Sequence, residues 1–284
     1  MPRCAEDLLR GALDVGTVQM FYHRLTEVMD HPLSSASDVG HVISEDPGLT
    51  TRLLRLVNSP IYGFPSRIVT VPQAISVVGL SQLRDLAVGT AFMRLFQMVP
   101  SHLVDMDSFW RHSIGCGIAA RLIALQRREA NVERFFVAGL LHDIGRPIIY
   151  AKAPLEAASA LMECSRSGQL LYQVEQKLLG FHHGVVGALL LERWRLPNML
   201  VEVTAHHHSP KLATREPTAT AIVHLADIIA NALQLGSSGE HLVPSFEPST
   251  WEAVGLSAAS LPTLLKQVET QFGDAVEAMM GMAA

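Results

Sequence analysis

Phe135-Phe136-Val137-Ala138-Gly139-Leu140-Leu141-His142-Asp143-Ile144-Gly145-Arg146-Pro147 is the stretch on which the reading of this chain turns. Its apolar run predicts a buried helix that ends in an adjacent imidazole and carboxylate. Gly145 suits a left-handed cap and Pro147 the opening of the next helix. A His-Asp pair at a helix end can simply cap and solvate it. If further ligands converge on the pair, the same two groups can bind a divalent metal. With thirteen histidines in 284 residues, the other histidines decide between these readings.

Outward from this stretch, helical periodicity recurs on both sides. Upstream, a long helix over 108–125 carries His112 near its start. Downstream come helices near 155–165 and 171–179, a break at Gly180, and His182-His183 ahead of a helix through Trp194. Leu196-Pro197 opens another, which ends in His206-His207-His208-Ser209-Pro210. Asp227 sits in a helix over 218–233, a Gly/Ser loop occupies 236–239, and a last helix runs over about 262–280. The first third reads as short helices: an entry segment with Leu8, Leu13 and Leu25, one capped by Ser37 or Asp38, one opened by Asp46-Pro47, one closed by Gly79, and one with Leu83, Leu86 and Leu95. No stretch alternates with period two for long enough to make a strand. The expected fold is all-α, divided near Pro100-Ser101 into a helical subdomain, 1–100, and a histidine-bearing one, 101–284.

Composition bounds the function. Hydrophobic residues make up 49% and charged residues 17%, the balance of a folded, core-rich protein. The net charge of −5 and the lack of a basic block give no expectation of direct nucleic-acid binding. Apolar runs are broken before the roughly 18–20 residues a membrane span needs. The N-terminus lacks the apolar core of a signal peptide, so the expected location is cytoplasmic, with no membrane partner. Cys4, Cys116 and Cys164 are too scattered for a disulfide framework or a thiolate zinc site.

His112, His142, Asp143, His183, His207, His208 and Asp227 all fall at the beginning or end of predicted helices within one region. Helix ends from different elements can meet at a point. Two metal ions need roughly six or more N and O ligands, which this set supplies. Imidazoles with carboxylates suit iron, manganese, zinc or nickel. His182, His206 and His224 read as surface or supporting groups.

The order His112, His142-Asp143, Asp227 resembles the HD superfamily of metal-dependent phosphohydrolases. The finer pattern is similar to the HDOD family of bacterial signalling proteins. Asp46-Pro47-Gly48-Leu49, Arg52 through Ser59 and Ala74 through Leu80 resemble its N-terminal half. Ala138 through Gly145, Gly187 through Trp194 with Leu196-Pro197, His207-His208-Ser209-Pro210 and Ala226-Asp227 resemble its C-terminal half. The likeness spans about residues 15–270.

That resemblance implies an HD-like helical bundle core with an additional N-terminal helical subdomain. It also implies a regulatory module of signal transduction, generally non-catalytic, whose partner is another signalling protein. By motif, all seven residues match ligand positions of the related HD-GYP phosphodiesterases, which implies a divalent, binuclear-type metal site of Fe, Mn, Ni or Zn. The alternative is a metal-dependent phosphohydrolase acting on a nucleotide or cyclic dinucleotide. In that reading Asp143 bridges the metals and Arg146 neutralises phosphate charge. The chain departs from those enzymes in carrying Arg146 where they carry lysine, and nothing like Gly-Tyr-Pro follows His207-His208. A third reading keeps the histidines as structural residues of a helical scaffold.

Overall fold

The computed structural model describes residues 4–10, 16–93, 99–246 and 248–281. Among them the chain forms helices and no strand. In order these are α1 (Ala5–Leu8), α2 (Gly16–Asp30), α3 (Ala36–Ser44), α4 (Pro47–Val57), α5 (Val71–Val78), α6 (Leu80–Phe92), α7 (Met106–Gln126) and α8 (Glu133–Leu141). Then come α9 (Gly145–Lys152), α10 (Pro154–Ser167), α11 (Leu171–Leu179), α12 (His183–Arg193), α13 (Asn198–His206), α14 (Pro217–Ala232), α15 (Pro248–Val254) and α16 (Leu261–Met280). Leu13 and Leu95, read as apolar helix positions, lie outside the described residues.

The chain divides into two compact units, Met1–Ala12 with Phe96–Val268 and Leu13–Leu95 with Glu269–Ala284.

In the smaller unit, α2 to α6 bury Leu25, Ile43, Leu53 and Leu83. Local capping sets their starts. The Asp46 carboxylate accepts from Gly48 and Leu49 N–H, with Pro47 at the first helical position. The α3 cap is Ser35, not Ser37 or Asp38. Its hydroxyl accepts from Asp38 N–H while the Asp38 carboxylate accepts from Ser35 N–H, a reciprocal capping box that places Asp38 inside the helix.

In the larger unit, α7 is buried along most of its length and packs on α8 and α14. Gly139 lets α8 close on α7, since a Cβ there would lie 2.8 Å from the Cys116 and Gly117 backbone. Arg121 and Glu133 pair across the same two helices at 2.9 Å, both buried. Gly145 is not a left-handed cap. It is the first residue of α9, and a Cβ on it would come within 2.0 Å of His183 O and 2.7 Å of Gly187 N. Its missing side chain is what lets α9 lie against α12, and that contact brings His183 towards Asp143.

Candidate metal centre

The seven donors come from five helices of the larger unit. His112 is on the second turn of α7, and His142 and Asp143 directly follow α8. His183 opens α12, His207 and His208 directly follow α13, and Asp227 lies within α14. Every one of them is buried except His208, which is half-buried.

Asp143 sits at the middle. Its Oδ1 lies 3.0 Å from His183 Nε2 and 3.6 Å from His207 Nε2. Its Oδ2 lies 3.5 Å from His142 Nε2 and 3.8 Å from His112 Nε2. Asp227 Oδ1 is 3.2 Å from His112 Nε2 and 3.6 Å from His142 Nε2. Two groups result, each with its donor atoms within 4.8 Å of one another: Asp143, His183, His207 and His208, and His112, His142 and Asp143. Asp143 belongs to both and turns one oxygen to each.

Hydrogen bonds behind the rings fix which nitrogen faces inward. His142 Nδ1 donates to Gly139 O at 2.6 Å, and His207 Nδ1 donates to Thr204 O at 2.9 Å. His183 Nδ1 donates to Glu175 Oε2 at 2.6 Å. Each of these rings therefore presents an Nε2 lone pair to the centre. His183 Nε2 stands 3.4 Å from His207 Nε2 and 2.9 Å from His208 Nε2, beside a carboxylate oxygen. An N–H donated from one ring to the next can hold such a cluster together, and so can a cation among the nitrogens. His142 Nε2, both nitrogens of His112 and Asp143 Oδ1 make no hydrogen bond and are fully buried. Buried polar atoms left unpaired are costly, and a divalent ion would satisfy them together. The residues fit a metal of the borderline class served by N and O donors.

Electrostatics hold the two carboxylates and His207 in ligand form, while the anionic groups around His142 and His183 raise the pKa of those two rings despite their burial. Burial alone would raise the Asp143 pKa, but Arg146, His142 and His183 hold it well below the usual carboxylate range. Burial likewise opposes ionisation of Asp227, and His112 and His142 keep its carboxyl low. Burial pushes the His207 ring down to about 4. Burial disfavours charge on His183, but the Glu175 carboxylate more than offsets this and its pKa is raised.

Arg146 faces inward, 2% exposed, with Nε 3.2 Å from Asp143 Oδ2 and NH1 3.4 Å from Ser238 O. Among the supporting histidines, His224 is buried and donates from Nδ1 to His207 O at 2.7 Å. His182 caps α12 by accepting from Gly184 N–H, and His206 ends α13 half-buried.

Three further residues meet the donors without any sequence motif to announce them. Glu175 backs His183, Ser238 Oγ donates to Asp143 Oδ2 at 2.6 Å, and Asn231 donates to Asp227 Oδ1 at 2.7 Å. Asn231, one helical turn after Asp227, was within reach of spacing arguments. Ser238 lay in what read as a plain Gly/Ser loop.

A family model for the HDOD domain matches residues 15–210. The chain belongs to the HDOD family. Six of the seven donors lie inside the matched HDOD residues, with Asp227 beyond them. An HDOD domain protein of unknown function from Geobacter sulfurreducens is 25% identical with a TM-score of 0.74, over 93% of this chain and 90% of that one. A Shewanella amazonensis protein, provisionally named a phosphohydrolase, is 24% identical with a TM-score of 0.73 over 96% and 99% of the two chains, a likeness of fold. An uncharacterised protein of Treponema pallidum (strain Nichols) is 26% identical over 194 residues, 68% of this chain but only 37% of its own length. The all-α HDOD fold is thus the one the motifs implied, and no helix among the described residues is long and apolar enough to cross a membrane.

Proposed function

We propose that this HDOD protein is a non-catalytic regulatory module of bacterial signal transduction that holds a divalent metal centre. The observation carrying this reading is the inward placement of Arg146, buried against Asp143 and Ser238. As the cation nearest the His-Asp motif, it is committed to Asp143 and is not presented to an incoming phosphate. A buried guanidinium paired through Nε with a carboxylate oxygen 3.2 Å away is a structural tie, not a free point charge.

His112, His142, Asp143, His183, His207, His208 and Asp227 are the residues that would hold the metal, and Asp143 would bridge two ions. A bound divalent ion supplies positive charge, Lewis acidity and a lowered pKa for coordinated water. In the regulatory reading the use of that charge is to tie α7, α8, α12, α13 and α14 into one arrangement, which a signalling partner reads. The chain's own residues orient the ligands, exclude water and keep Asp143 ionised.

A metal-dependent phosphohydrolase acting on a nucleotide or cyclic dinucleotide is the second reading, and the undiminished donor set favours it. One experiment separates them. Protein purified without a His-tag is analysed for metals and assayed with bis(p-nitrophenyl) phosphate in added Mn²⁺. The expected result is bound metal and hydrolysis no faster than the Asp143→Asn background. Robust turnover that Asp143→Asn abolishes overturns the regulatory reading.

A further inference from the structure

The two donor groups differ in what stands behind their imidazoles. His183 is backed by a carboxylate, since Glu175 Oε2 accepts from both its Nδ1 at 2.6 Å and its backbone N–H at 2.9 Å. Glu175 is itself only 1% exposed, and His183 is the only ion-pair partner it shows among the described residues. Chain geometry makes the contact. Gly180, with φ 82°, ends α11, and His182 in extended conformation caps α12, so only three residues separate the two helices. Glu175, on the second turn of α11, then meets the first residue of α12.

On the other side, His142 Nδ1 is backed by a neutral carbonyl, Gly139 O, and His112 Nδ1 by nothing. Asp227 adds an oxygen donor there, but one partly engaged by Asn231. A carboxylate behind an imidazole fixes its tautomer and orientation and makes the opposite nitrogen a stronger donor. A buried carboxylate is also costly without positive charge near it, and a cation across the His183 ring adds to the charge that Arg146 supplies.

We infer that Glu175 is a positioning residue that sets the cation affinity of one subsite alone, the one formed by Asp143, His183, His207 and His208. This rests on the metal-binding reading above. With three imidazoles to one carboxylate oxygen, that subsite takes a borderline divalent cation such as Zn²⁺. The two subsites then fill in separable steps, and the chain passes through a singly loaded form whose range of cation concentration Glu175 controls.

The test is Zn²⁺ titration of the full chain, stripped of metal, against a chelating dye, with wild type, Glu175→Gln, His208→Ala and His112→Ala compared. Wild type binds in two steps. Glu175→Gln weakens one of them by roughly 10–100-fold and leaves the other within about twofold, in line with the loss of a carboxylate behind a ligating histidine. The weakened step is the one His208→Ala removes and His112→Ala spares. Both steps unchanged in Glu175→Gln, or both weakened alike, overturns the inference while the metal centre stands. No zinc bound by wild type overturns the metal reading itself, and the inference with it. If Glu175→Gln does not fold, nitrogen-15 NMR of wild-type histidines replaces it. A His183 Nδ1–H proton shifted far downfield, whose ring resonances change in the step His208→Ala removes, supports the positioning role, and a His183 protonated on Nε2 overturns it.

Discussion

Ser238 and Asp143 stand 95 residues apart in the chain, and the Ser238 hydroxyl donates to Asp143 Oδ2 at 2.6 Å. The same loop residue receives Tyr150 on its carbonyl at 2.7 Å. The 236–239 loop is thus pinned to the carboxylate shared by both donor groups. Ser238→Ala keeps the carbonyl contacts and removes only the hydroxyl. It is expected to lower Zn²⁺ affinity about 10-fold, the lower end for loss of an orienting partner, with the ligand count unchanged. Calorimetric titration measures this.

Asp143→Asn is expected to abolish metal binding while conserving shape. It also leaves Arg146 buried without its anion, which costs about 3–5 kcal/mol when one partner of a buried pair is removed. Chelation with EDTA should lower the melting temperature of wild type, because the ion binds only the folded chain, and should leave that of Asp143→Asn unmoved. Scanning calorimetry with and without EDTA checks both effects.

Glu133→Ala removes the carboxylate 2.9 Å from the Nε of Arg121, 8% exposed, between α7 and α8. The expected loss is about 3 kcal/mol in urea unfolding. An Arg121→Met, Glu133→Leu double variant should recover most of it, because apolar residues of similar volume replace a buried pair at little cost.

Gly145→Ala puts a methyl group within 2.0 Å of His183 O, a backbone atom that cannot swing aside. Either α9 separates from α12 or the chain fails to fold. The expected stability loss exceeds about 2 kcal/mol, at the upper end for overpacking, and is accompanied by loss of metal. Urea unfolding and elemental analysis of the soluble fraction decide it.

Glu202 offers a titration away from the centre. Burial opposes its charge, but the N–H groups of Arg215, Thr214 and Glu216 outweigh that and hold its carboxyl below the usual range. It thereby holds the turn ahead of α14, with Thr214 N–H at 2.9 Å and Arg215 N–H at 3.0 Å. A depressed pKa in the folded state means the stabilisation is fully present above the unfolded value of about 4.3 and is lost as pH falls through the folded one. Glu202→Gln should therefore cost about 1 kcal/mol at pH 7, as loss of a hydrogen bond does, and the difference from wild type should shrink as pH falls below the unfolded value. Urea unfolding at pH 7, 5 and 3.5 gives the comparison.

The sequence by itself determined the helices and the ingredients of the centre. Helix periodicity and caps such as Asp46-Pro47 act within a few residues, so local propensity expresses them directly. Most of the seven candidate donors could be named for the same reason, since an imidazole or carboxylate at a helix end is a local feature, whereas Asp227 lies within α14 and not at its end. Capping by Ser35 in place of Ser37 or Asp38 was a local alternative that the reciprocal hydrogen bonds resolved.

Only the tertiary structure decided which way the remaining groups point. Arg146 next to a His-Asp pair could face a ligand or its own carboxylate, and helix packing turns it inward. Gly145 could cap a helix or admit a neighbour, and the position of His183 O selects the second. Glu175 and Ser238 carry no pattern at all, because their partners are assigned by the path of the chain between α11 and α12 and by a loop that returns after 95 residues. Contacts of that kind depend on how helices approach one another, and periodicity along a chain encodes which face is buried but not what that face will meet.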